Sequence, residues 1–96
     1  MTDDRWTPEL LERVRELTGA LTPLPDMAVL LDVPLAELRV ALTDSGHPFT
    51  RIYRRTKAEV LLDIRRRQLD LFEAGAPSAA DDVAQYVRDM TAADEL

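Results

Sequence analysis

The chain has 96 residues, a net charge of −6 and a pI near 4.6, enough for one small domain with a modest core. Cysteine is absent, which excludes a disulfide framework and thiolate metal sites and makes the cytoplasm the expected location. The opening "MTDDRW" is acidic rather than apolar, so no secretory signal is expected, and no apolar run is long enough to span a membrane.

Every segment predicts helix or turn. The first helix is expected from "TPEL", with Thr7 as N-cap, Pro8 at the first helical position and Glu9 complementing the dipole. Leu10, Leu11, Val14, Leu17 and Leu21 form its apolar stripe. Trp6 is placed to fold back on Leu11 as a hydrophobic staple, or else to stay exposed for a partner. Two prolines in "TPLP" interrupt the pattern. A short second helix is expected over 25–31 and a third over 34–43, followed by the loop "DSGHP". The long fourth helix is expected over 49–74, stopped by Gly75. "GAPS" turns the chain, and Ser78 caps a short C-terminal helix with Asp81 and Asp82 in its first turn. Ala80, Val83, Ala84, Val87 and Met90 would form the apolar face of that helix. The expected fold is all-α, about five helices in one domain over 1–96. Residues 7–46 hold the first helix and a helix-turn-helix, and 47–92 hold helices for oligomerisation.

The second and third helices carry the packing pattern of a helix-turn-helix. Ala28 is the small residue that permits close approach, Leu31 follows, Val33 plugs the turn, and Leu38 and Ala41 anchor the second helix. Asp32 stands where glycine is common, and Asp tolerates unusual backbone angles. The outward face offers Leu35, Ala36, Glu37, Arg39, Val40 and Thr43. Reading base edges needs donors and acceptors. Arg39 is the one strong candidate, Glu37 repels phosphate, and Arg39 can equally be a solvated residue paired with Glu37 or Asp44.

On the long helix, Phe49, Ile52, Tyr53, Thr56, Val60, Ile64 and Leu71 share a face that should pack on the helical pair. Leu61, Leu62, Leu69 and Phe72 lie on another side, so the helix needs covering twice. The last helix and neighbouring copies would do this, which motivates a homo-oligomer. Charge is uneven: residues 49–68 hold seven basic residues against two acids, between two acidic ends. Arg55 can pair with Glu59, Arg66 with Asp63 or Asp70, and Arg67 with Asp63. Arg51, Arg54 and Arg65 have no such carboxylate and lie within about 60° of one another on the helical projection. They are candidates for DNA phosphates, or for acidic ends of a neighbouring copy.

The stretch "MAVLLDVPLAELRVALTDSGHPFTRIYRRTKAEVLLDIRRRQLDLFEAGAPSAADDVAQYV" resembles phage terminase small subunits, over roughly residues 24–90. No single motif carries the likeness. The order does: a helix-turn-helix with an "LLDV" turn, a loop, an aromatic "FTRIYRRTKAE" entering a long helix, then "LFEAGAPSAADDV" and a closing helix. The resemblance implies a non-catalytic packaging adaptor that forms a ring, binds double-stranded DNA and hands it to the large terminase subunit. It implies Arg39 as a DNA-binding position and the acidic end, Asp81 to Leu96, as a candidate contact with the motor. The reader-poor third helix points to weak, sequence-tolerant binding, as in a headful packager or a gene-transfer-type particle. No cofactor or metal is implied. His47, the only histidine, is expected to have a surface or capping role rather than a catalytic one, and the carboxylates of "SAADD" mark a helix start. Two other classes stay open: a helix-turn-helix transcription regulator, and a purely protein-binding helical module.

Overall fold

The computed structural model describes residues 5–94. Five helices follow in order: α1 (Pro8–Gly19), α2 (Leu24–Leu31), α3 (Leu35–Ala41), α4 (Pro48–Glu73) and α5 (Ala79–Asp94). There is no strand among the described residues, and no helix there is long and apolar enough to cross a membrane. The all-α architecture follows the sequence expectation, with helix ends moved by a residue or two.

Local chemistry fixes the helix starts. At α1 the Thr7 hydroxyl accepts the Leu10 N–H at 3.2 Å, with Pro8 next in the chain. This satisfies one of the orphan donors every helix start exposes. At α4 His47 takes that part: its Nδ1 accepts the Phe49 N–H at 3.1 Å. The capping role expected for His47 is therefore the one it plays.

Three helices end in the same way. At α1 the Leu21 N–H donates to the Thr18 carbonyl at 2.9 Å and the Thr22 N–H to Leu17 at 3.1 Å. At α2 Asp32 donates to Val29 at 3.2 Å and Val33 to Ala28 at 3.0 Å; at α4 Gly75 donates to Phe72 at 3.0 Å and Ala76 to Leu71 at 2.9 Å. This is the Schellman pattern, which needs a left-handed residue at its centre. Leu21, Asp32 and Gly75 hold that place with φ of 59°, 56° and 86°. Glycine bears this conformation freely and aspartate tolerably, whereas leucine is strained. Leu21 was expected on the α1 stripe; it lies beyond the helix end and is exposed instead.

The structure forms two compact units, which divide inside α4 between Glu59 and Val60. In the first, Val14, Leu17, Met27, Ala28, Leu31, Val33, Leu38, Ala41 and Phe49 make the core. All the helix-turn-helix packing positions are among them. Trp6 packs against the core of this unit. Its ring meets the edge of His47 at 5.3 Å and Phe49 at 5.4 Å, and Phe49 stacks on Tyr53 at 5.5 Å. These ring contacts join the N-terminal segment to the start of α4. Thr50, which no helical period singles out, is fully buried and donates its hydroxyl to the Ala41 carbonyl at 2.6 Å. The start of α4, expected with the oligomerisation helices 47–92, thus belongs to the core of the helical pair.

The second unit is built differently. Among its described residues Ala79 is the only one fully buried. Val60, Leu61, Ile64, Val83 and Tyr86 are half-buried, and Leu62, Leu69, Leu71, Phe72, Val87 and Met90 are exposed. Two expectations change here. Leu71 does not share a covered face with Phe49. The side of α5 turned inward is Ala79, Val83 and Tyr86, not Ala80, Ala84, Val87 and Met90. The winning triplet has the same helical spacing and adds an aromatic ring, over which the Arg65 guanidinium lies at 5.5 Å.

Two substitutions test these features by thermal unfolding. Leu21→Gly removes about 1–2 kcal/mol of left-handed strain and adds about 0.5–1 kcal/mol of unfolded-state entropy. The lost cover of a leucine that is 52% exposed costs about 1 kcal/mol more, so Tm should stay within roughly 4 °C of wild type; a fall of more than roughly 8 °C would show that packing, not strain, dominates at Leu21. Thr50→Val keeps shape but loses the bond to Ala41. That carbonyl still accepts the Asp44 N–H at 3.0 Å, so the loss should be limited to about 1 kcal/mol.

Candidate nucleic-acid interface

The turn set by Asp32 and plugged by Val33 holds α3 against α2 with Leu38 and Ala41 inward. Ala36, Glu37, Arg39, Val40 and Thr43 remain exposed, while Leu35, expected outward, is half-buried against the core. Two of the three uncharged residues left on this face, Ala36 and Val40, carry no side-chain donor or acceptor. The third, Thr43, donates its hydroxyl to the Val40 carbonyl at 2.6 Å, an internal use of the donor. Glu37 is paired with Arg5, so its charge is balanced from the segment that precedes α1. Trp6, Ala36, Glu37, Val40, Ala41 and His47 line one surface recess. The N-terminal segment therefore borders the outward face of α3, a long-range arrangement that helical periodicity cannot reveal.

Arg39 is exposed and forms no ion pair among the described residues. It pairs with neither Glu37 nor Asp44. Glu37 is taken by Arg5, and the Asp44 carboxylate accepts the Gly46 N–H at 2.9 Å in the loop.

On the first-unit part of α4 the cations sort by partner. Arg55 pairs with Glu59 at 3.0 Å and the Lys57 ammonium lies over the Tyr53 ring at 5.7 Å. Arg51 and Arg54 are exposed and unpaired among the described residues. Arg51 lines a recess with Leu11, Gly46, Pro48, Ile52 and Arg55, at the mouth of the loop before α4. On α1 the basic groups are spent locally: Arg13 pairs with Glu16 and Arg15 with Glu12. The hydrogen bond that Arg15 donates holds the Glu12 carboxyl below its ordinary range, and the same bond raises Arg15.

In the second unit Arg67 pairs with Asp63 at 3.0 Å, as its spacing suggested. Arg66, expected to share Asp63 or take Asp70, is exposed and has no ion pair among the described residues. Arg65 has no carboxylate partner, but it is half-buried and stacked on Tyr86, which makes it the least available of the four candidate DNA residues. Leu62, Leu69 and Phe72, expected at a contact between copies, are exposed, and Leu61 is half-buried.

The result is a scaffold that can carry phosphate-binding guanidinium groups on α3 and α4 but offers almost nothing to a base edge. Among the described residues there is no group of three or more His, Cys, Asp or Glu side chains that could hold a metal ion. No known protein family, curated protein or solved structure matches the chain.

Proposed function

We propose that this protein is a DNA-packaging adaptor of the small-terminase kind. It assembles from several copies, binds double-stranded DNA weakly and with little sequence preference, and delivers it to a large motor subunit. The observation that carries this reading is the contrast between the two sides of the α2–α3 pair. The inward side is a complete helix-turn-helix packing. The outward side keeps Arg39, with Arg51 and Arg54 on α4, and no further side chain suited to base edges.

Weak contacts of this kind need many copies to grip. The exposed Leu62, Leu69, Phe72, Val87 and Met90 of a unit with one fully buried residue among those described support assembly. The acidic run from Asp81 is the candidate contact with the motor; its last residues, 95–96, lie outside the described residues. Bacteriophage or gene-transfer-type particles inside a bacterial cell are the setting this function requires.

A second reading has one observation in its favour. Ala36 and Val40 beside the Trp6 recess would suit an apolar protein partner better than a groove of DNA. DNA binding separates the two.

Replacing Arg39, Arg51 and Arg54 together by Gln should weaken binding to unrelated duplexes alike. Each phosphate contact contributes about −0.9 to the slope of log K against log salt. Fluorescence anisotropy across salt should therefore show the slope become shallower by roughly 3 per copy engaged. Binding that is unchanged in strength and slope would refute these residues as the site. No retention of the native chain on DNA at low salt would favour the protein-binding module. Mass measurement of the intact assembly tests the oligomer independently.

A further inference from the structure

The strained Leu21 has a neighbourhood that the packaging reading leaves unused. Its side chain is 52% exposed, beside Val29 at 79% and Leu30 at 52%. Leu21, Val29 and Leu30 line one surface recess together with Asp26. A strained residue that displays a large apolar side chain marks a functional surface rather than a packing solution. The one charged residue lining that recess is Asp26, and from Leu17 to Leu38 the sequence contains no basic residue. An acidic, apolar surface repels nucleic acid and fits a basic, apolar one.

The same chain carries an apolar stripe with a cation on it. On α4, Leu62, Arg66 and Leu69 follow at helical spacing on one face, all exposed, and Arg66 lacks an ion-pair partner among the described residues. We propose that the Leu21–Val29–Leu30 patch with Asp26 docks on the Leu62–Arg66–Leu69 stripe of a second copy. The leucines of the stripe cover the apolar patch, and Arg66 meets Asp26. The two surfaces differ, so the contact is head-to-tail and propagates from copy to copy until it closes. This rests on the oligomeric reading above and names the surfaces that join the copies.

The test is sedimentation velocity of the full chain across concentration. Wild type should assemble. Leu21→Gly should weaken assembly several-fold while its Tm stays near that of wild type, so misfolding cannot account for the loss. Val29→Lys, at an exposed position, should weaken it at least tenfold. Asp26→Arg and Arg66→Asp should each fail to assemble alone, and a mixture of these two chains should assemble, because every contact then joins opposite charges. Assembly of Val29→Lys at wild-type strength, or a mixture that stays apart, overturns the proposal while the oligomeric reading stands. A wild type that stays monomeric at every concentration removes that reading, and this one with it.

Discussion

The first unit closes on the ring of Phe49. It is fully buried, it touches Trp6 from the N-terminal segment and Tyr53 from the next turn of α4, and it completes the core supplied by α1, α2 and α3. Deleting a buried phenyl ring costs about 3–5 kcal/mol, comparable with all the net stability a domain of this size can hold. Thr50 next to it locks the same turn to the last carbonyl of α3, and His47 caps the helix that presents both. Three consecutive functions, cap, ring and hydroxyl, fall within "HPFT" and join the long helix to the helical pair. Without them α2 and α3 are too short to hold together alone.

The repeated Schellman closure shows how one geometry can be met at different cost. Gly75 meets it freely, Asp32 with a tolerable side chain, and Leu21 under strain. Gly19 lies close by but two residues too early in the chain to take the left-handed place. The Asp32 closure positions Val33 as the plug of the turn, so that backbone conformation and core packing reinforce each other.

Much of this was legible in the sequence where the signal is local. Thr7 and Pro8, the Gly75 stop and the inward positions of α2 and α3 follow from capping chemistry and period. The Arg55–Glu59 and Arg67–Asp63 pairs follow from helical spacing. What was not legible depends on neighbours distant in sequence. Trp6 reaches His47 and Phe49; Arg5 reaches Glu37, thirty-two residues on; Tyr86 takes Arg65. The inward side of α5 does not follow from period because two apolar stripes of equal period compete there, and Tyr86, amphipathic rather than plainly apolar, decides between them. For the candidate site, spacing separated the paired from the unpaired arginines except at Arg65 and Arg66, where an aromatic ring and competition for Asp63 intervene.

The division of α4 between two units has a consequence for how the molecule opens. Its first turns are anchored by a dense core, while the turns beyond Glu59 are held by little more than their own hydrogen bonds and partly wet apolar contacts. A single unbroken helix then has two tiers of local stability. Amide hydrogens near Phe49 exchange only when the whole first unit unfolds, whereas those near Leu69 can exchange through fraying of the second unit alone. Such a unit is a reservoir of transiently unfolded chain. Proteases would meet it first, and self-association would protect it first.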